Sequence, residues 1–357
     1  MNILYTIFSF KTGGTEKLLI DILNNMNLDK HDNLYLCIIN DLYDEKLLRL
    51  INPSVKIILL KRNIHSKSKF SYMLKYTKII INNKINVIHC TGIGEVKISI
   101  LAKILKPQIK IFHTVNDTKT YLNYKKYEAL IDKIFIKKII SISTSVEKDI
   151  LSRGINKNKI KIIYNAIDIE KFNIIKKQHN GIIIGCIARI VPEKKGQDVL
   201  IKSIGLIKNT YPDIKCYFAG EPPENKEEYL CYLKDIVKET KTENNIFFLG
   251  NVSDIPTFLS SIDIFVLPSR YEGFGISLVE AMAAGIPCIA SNLDGPKEII
   301  KDKYGLLFEL DNYQDLANKI LYCISNMKNY DKDKVQNYVK ENYNIKNMTK
   351  KLYNLYK

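Results

Sequence analysis

The chain has 357 residues, enough for two domains with cores of their own. Its hydrophobic fraction of 46% suits a soluble globular protein, and no apolar run reaches the roughly 18 residues of a membrane-spanning helix. The formal net charge of +16 lies in residues 1–179, where 31 Lys and Arg face 15 Asp and Glu, while residues 180–357 hold 23 of each. A codon bias toward lysine would act on both halves alike. The basic half therefore points to an anionic partner.

In chain order, a strand at 3–8 opens the sequence without a secretory signal pattern. Further apolar runs at 34–39, 55–60, 87–90, 110–113, 139–142 and 161–164 read as strands. Helical patterns such as 16–26 and 97–106 lie between them, the alternation of a parallel α/β sheet. Residues 121–138 mix aromatics, aliphatics and lysines at helical spacing. They read either as a basic amphipathic helix on an anionic membrane or as a core-packed helix with a solvated face. Lys61, Arg62 and the stretch 67–78 add positive charge to the same domain. A second series of strands follows at 181–187, 215–219, 246–249, 264–267, 288–290 and 306–308. Two such series imply an α/β chain of two Rossmann-like parallel-sheet domains facing across a cleft. The expected bounds are 1–165 for the first domain, 166–180 for a linker, 181–340 for the second domain and 341–357 for a terminal helix. Seven scattered cysteines without a Cys-x-x-Cys read as buried thiols in a reducing, cytoplasmic compartment.

The most informative stretch is 269–290. A buried strand ends at Pro268 and a glycine-rich turn follows, with Gly273 and Gly275 allowing close approach of a ligand. A short helix at 276–284 then stops at Gly285. Glu272 in the turn and Glu280 in the helix are eight residues apart, just over two helical turns, so both can address one site. Free N–H groups at that helix start would face an anion.

This block, Glu272-Gly273-Phe274-Gly275 with Glu280 in E-x7-E register, resembles the signature of the retaining family 4 glycosyltransferases of GT-B fold. Three further stretches carry the resemblance. Arg189 and Lys195 follow the first strand of the second domain in the family's Arg-x5-Lys-Gly spacing, although Ala188 stands where members usually have Gly. Gly13-Gly14-Thr15-Glu16 matches the Gly-Gly-x-Glu loop, and is not the Gly-x-Gly-x-x-Gly of an NAD site. The stretch from Asn165 resembles the family's Asn-Gly-Ile-Asp linker, with Ala166 in place of Gly.

The resemblance implies roles residue by residue. Arg189 and Lys195 would hold the pyrophosphate, whose charge grows as it departs. Glu272 would hold donor-sugar hydroxyls, and Glu280 the ribose hydroxyls, since a carboxylate accepts from both oxygens of a vicinal diol. Backbone N–H groups of Phe274, Gly275 and Ile276 would reach the sugar or phosphates. Asn251 and Val252 would cup the base, and Gly13 and Gly14 would close over the diphosphate. His113, at a strand's carboxyl end, would meet the donor sugar or acceptor hydroxyl; its alternative is a hydrogen-bonded structural histidine. The terminal helix would cross back onto the first domain.

The implied activity is transfer from a nucleoside-diphosphate sugar, UDP before GDP, to a saccharide or lipid-linked saccharide of bacterial surface polysaccharide or lipopolysaccharide. No metal and no cofactor is expected. The one Asp-x-Asp, Asp331 and Asp333, sits in a polar stretch and reads as surface. An anionic membrane surface, met through the basic domain at the inner face, is the expected partner, and nucleic acid is not. The rival readings are a sugar-nucleotide epimerase or phosphorylase of the same fold, and a non-catalytic basic binding module.

Overall fold

The computed structural model describes every residue except Thr12, 66–68 and Asp302, and of Lys69 the backbone alone. Lys67, counted above in the basic stretch, thus lies outside the described residues. The chain forms two compact units, Met1–Ala166 with Ile345–Lys357, and Ile167–Asn344.

Among the described residues the first unit has seven parallel strands: β1 Asn2–Ile7, β2 Asn33–Asn40, β3 Lys56–Arg62, β4 Val87–Cys90, β5 Lys110–Val115, β6 Lys138–Ser141 and β7 Ile160–Ile162. Their order in the sheet is β3-β2-β1-β4-β5-β6-β7. β1 is an interior strand, with Leu4 beside Tyr35 on one side and Ile88 on the other. Burial on both faces explains its near-continuous apolar run. The direction of travel reverses between β1 and β4, and the loops leaving their carboxyl ends diverge there to leave a crevice.

Ile345–Tyr356 belongs to this unit. Tyr356 is fully buried, and its hydroxyl lies 2.7 Å from that of Tyr5 on β1 and also bonds Nδ1 of His89 on β4. The other nitrogen of His89 meets the Thr114 hydroxyl at 2.7 Å, so the ring is held from both sides.

The helical reading of 121–138 is corrected: the helix covers Lys126–Phe135 alone. The Asp149 carboxylate accepts the backbone N–H groups of Tyr121 (2.8 Å) and Leu122 (3.1 Å), which pins the preceding segment in turns. Lys138 already pairs within the sheet. The helix expected at 97–106 begins earlier, at Ile93, directly after Gly92.

The second unit has six parallel strands: β8 Ile183–Ile187, β9 Lys215–Ala219, β10 Ile246–Gly250, β11 Ile264–Leu267, β12 Cys288–Ser291 and β13 Leu306–Phe308. Their order is β10-β9-β8-β11-β12-β13, so the reversal here falls between β8 and β11. Ile184, Val266 and Ile289 from the central strands pack with Leu200, Ile204 and Leu316 from the covering helices into one core. Residues 167–180 cluster with this unit. Six cysteines are buried free thiols and Cys231 is exposed. No described helix is long and apolar enough to cross a membrane.

Candidate active site

In the second unit the loops after β8 and β11 meet at the reversal point, where a doubly wound sheet opens a crevice. Their approach is close. Gly196 has φ +63°, and a Cβ there would lie 2.0 Å from the carbonyl oxygen of Pro268, so glycine is required. The N–H groups of Arg270 (2.8 Å) and Tyr271 (3.2 Å) both bond the carbonyl of Lys194.

That backbone contact brings the charged side chains together. The Lys195 ammonium lies 2.7 Å from a carboxylate oxygen of Glu272, and the Ser269 hydroxyl donates to the same oxygen at 3.2 Å. Lys195 has three N–H donors, so the pairing with Glu272 leaves capacity for phosphate oxygens. Arg189 is exposed at the start of the same loop, and its carbonyl accepts from the buried Gln197 at 2.9 Å. Three of the expected residues, Arg189, Lys195 and Glu272, therefore occupy two loops that touch.

Gly275 takes φ +107° and caps the helix Ile276–Ala283, turning the chain out of the glycine loop. Glu280 is half-buried in the second turn of that helix. The Phe274 ring is buried, edge-on to Tyr343 at 5.6 Å, so the side chain anchors the loop and only its backbone is available to a ligand. Asn251 and Val252 follow β10, and the Asn251 amide donates to Glu221 at 2.9 Å. Asp331 caps the helix Lys332–Asn342 by accepting from the Lys334 N–H at 3.0 Å, a structural role.

In the first unit, Gly13 is the N-cap of the helix Gly14–Asn25, and a Cβ at Gly14 would meet nothing within 4 Å. His113, on β5, is 1% exposed, and its Nδ1 lies 3.1 Å from the buried Asp132, which also accepts the Tyr121 hydroxyl. A neutral ring donating from Nδ1 would keep Nε2 as the acceptor. No local sequence pattern signals this support of His113 by Asp132 and Tyr121.

Comparison with known proteins settles the family. The model of the group 1 glycosyl transferases matches residues 168–344, and that of glycosyltransferase family 4 matches residues 12–171. The chain belongs to the group 1, family 4 glycosyltransferases. It is 24% identical, over 83% of its length and 81% of the relative's, to the UDP-Gal:alpha-D-GlcNAc-diphosphoundecaprenol alpha-1,3-galactosyltransferase of Escherichia coli. It is 27% identical to the capsular polysaccharide biosynthesis glycosyltransferase CapM of Staphylococcus aureus, over 84% and 82% of the two chains. Its fold is that of Anabaena HepE in complex with UDP-glucose, with a TM-score of 0.85, 20% identity and 99% of each chain covered. Both units thus have the parallel-sheet architecture of GT-B glycosyltransferases.

Sequence reading missed other parts of this glycosyltransferase. Arg270 forms two 2.8 Å bonds to the two oxygens of Asp198, one of 2.5 Å to Asp311 and one of 2.6 Å to the Pro192 carbonyl. It thereby clamps the two site loops. Glu221 joins the loops after β8 and β10, since its carbonyl accepts the Ile190 N–H at 3.0 Å and its side chain holds Asn251. Glu95, at the reversal point of the first unit, is buried beside Thr91 and the Phe8 N–H, each at 3.3 Å. Burial pushes its carboxyl above the usual carboxylate range. Arg270 lies in the 269–290 stretch, but its partner Asp198 is 72 residues away, and no local spacing links the two.

Proposed function

We propose that this transferase moves a sugar from a UDP-sugar to a saccharide or lipid-linked saccharide acceptor, with retention at the anomeric carbon, in bacterial surface polysaccharide or lipopolysaccharide synthesis. The observation that carries the reading is the Lys195–Glu272 pair, 2.7 Å apart where the β8 and β11 loops meet. A cation for the departing diphosphate and a carboxylate for the sugar hydroxyls are there joined in one place. The bond from the anomeric carbon to the diphosphate oxygen breaks, and a bond to the acceptor oxygen forms on the same face. The acceptor's proton passes to the leaving phosphate. Arg189 and Lys195 stabilise the charge that collects on the diphosphate, in the role a metal ion has elsewhere, so the reaction needs none. Glu280 takes the ribose hydroxyls, and the backbone from Phe274 to Ile276 addresses the phosphates. His113 presents Nε2 to a sugar hydroxyl. The UDP-Gal donor in the name of the E. coli relative and the UDP-glucose of the Anabaena structure support uridine. The setting is the cytoplasm, where nucleotide sugars are held.

The test is nucleoside diphosphate release from UDP-, GDP-, ADP- and TDP-sugars, with thermal shift read in parallel. One donor is expected to be hydrolysed slowly and to stabilise the protein, by about 2.7 kcal/mol at ~100 times its dissociation constant. Lys195→Ala and Glu272→Ala are expected to lower the rate by about 10²-fold or more while remaining folded. Excess EDTA leaves the rate unchanged. Binding of no nucleotide by the folded protein would replace this reading with the non-catalytic module, and full activity in either variant would remove that residue from the site.

A further inference from the structure

A small cavity lies within the first unit, between the sheet and the helices Gly14–Asn25 and Ile345–Tyr356. Its volume is about 30 Å³. One ordered water needs roughly 10–15 Å³ and a site for a whole small molecule about 300 Å³ or more, so the space takes a substituent and not a sugar ring. The floor is aliphatic: Leu18 and Ile22 from the first helix, Ile140 from β6, and Met348 and Leu352 from the second helix, all buried. The rim is polar. Thr15 stands in the first turn of Gly14–Asn25, and Thr91, Thr114 and Asn116 at the carboxyl ends of β4 and β5, each half-buried. The cavity thus opens at the carboxyl edge of the sheet, beside the crevice left by the reversal between β1 and β4.

Most polar groups of the rim are occupied. The Thr114 hydroxyl meets His89 at 2.7 Å, the Thr91 hydroxyl donates to Glu95 at 3.3 Å, and the Asn116 amide donates to the Thr91 carbonyl at 3.3 Å. Asn165, which also lines the cavity, is different. It is 4% exposed, and its buried Oδ1 has no hydrogen-bond partner among the described residues. A buried carbonyl oxygen left without a donor is costly, so its presence beside a cavity points to a donor that arrives with a ligand. A water needs two to four polar partners, and the aliphatic floor offers none. A sugar hydroxyl would satisfy Asn165 and leave the floor empty. The methyl of a deoxy sugar would fill the floor and leave Asn165 unpaired. An acetamido group does both. In its trans amide the N–H and the acetyl methyl lie on the same side of the C–N bond, so one substituent reaches Oδ1 and the floor together.

We propose that this cavity selects the acceptor: it holds the acetamido group of an N-acetylamino sugar, with Asn165 accepting the N–H and Leu18, Ile140 and Met348 enclosing the methyl. Asn165 is then a specificity-determining residue of the transfer proposed above, on which this assignment rests. Arg189, Lys195, Glu272 and Glu280, which would hold the donor, lie within Ile167–Asn344, whereas every residue around the cavity lies in the first unit. That division gives the acetamido group to the acceptor and not to the donor sugar.

Saturation-transfer NMR on the full chain, with UDP added, reads the cavity without turnover. The probes are the methyl α-glycosides of N-acetylglucosamine and N-acetylgalactosamine, and those of glucose and galactose. The acetyl methyl of one N-acetyl glycoside is expected to receive the strongest saturation in its ligand, and the plain hexosides to bind about tenfold more weakly or worse. Leu18→Phe fills the floor, and Asn165→Leu removes the carbonyl at nearly constant volume. In transfer assays on the same glycosides, each variant should lower the ratio of kcat/KM for the N-acetyl over the plain acceptor by about tenfold or more. A merely structural defect lowers both acceptors alike and leaves that ratio unchanged. The inference is overturned if the wild type treats plain and N-acetyl glycosides equally, or if either folded variant keeps the wild-type ratio. It is also overturned if Asn165→Leu shifts the choice between UDP-N-acetylhexosamine and UDP-hexose donors while acceptor choice holds. Saturation of the acetyl methyl without nucleotide release would remove the transfer reading and keep the acetamido site; nucleotide release without acetamido preference would do the reverse.

Discussion

Arg270 uses its backbone and its guanidinium for one task. Its N–H bonds Lys194, and its side chain bonds Asp198, Asp311 and the Pro192 carbonyl. Asp198, then Asp311, hold the guanidinium more firmly protonated than usual. This fork fixes Lys195 against Glu272 without touching either. Arg270→Lys keeps the charge and loses the bidentate geometry. Because a misplacement of ~1 Å can lower a rate by about 10²-fold, kcat should fall about tenfold or more with little change in KM. Steady-state kinetics on the donor identified above decides it; a rise in KM at unchanged kcat would show that Arg270 serves ground-state binding instead. The contrast with Glu272 and Glu280 explains what was legible at this scale. Their spacing is local, so it shows in the sequence. The Arg270–Asp198 clamp depends on two loops meeting, and no local pattern encodes that.

Among the elements, strands were legible because parallel strands buried on both faces read as short apolar runs. The runs at 215–219, 264–267 and 306–308 coincide with β9, β11 and β13. Sheet order was not legible, since a crossover does not reveal over which neighbours it passes. Residues 121–138 misled because helical spacing continues through turns that Asp149 holds from 28 residues away. The C-terminal helix presents a further long-range case. Tyr356 meets Tyr5 across 351 residues and His89 across 267. Tyr356→Phe leaves these two buried groups short of a partner, and should lower stability by about 1–3 kcal/mol in urea unfolding. An unchanged midpoint would show that apolar packing alone seats the helix. His89 adds a pH dependence. Burial holds its pKa down at about 3 against an ordinary 6.5. The folded protein thus takes up this proton less readily than the unfolded chain. The resulting stability is present above pH 6.5 and is lost as pH falls toward 3. His89→Asn should flatten the melting temperature over that window.

At the scale of the whole molecule, the chain leaves the first unit at Ala166, builds the second and returns at Ile345. Each unit has its own sheet, and the residues proposed to hold the diphosphate and the ribose lie in the second. Ligand linkage acts on the transition that releases the ligand. Two cores joined by two crossings should give two calorimetric transitions, departing from two-state behaviour. UDP should raise the transition of the second unit, because Lys195, Glu272 and Glu280 all lie within Ile167–Asn344. Tyr356→Phe should lower the other transition, although residue 356 follows the entire second unit in sequence. The pair of perturbations assigns the two peaks independently. If UDP and Tyr356→Phe move the same peak, or a single peak responds to both, the units unfold together, and the long return of the chain would couple nucleotide binding to the stability of the first sheet.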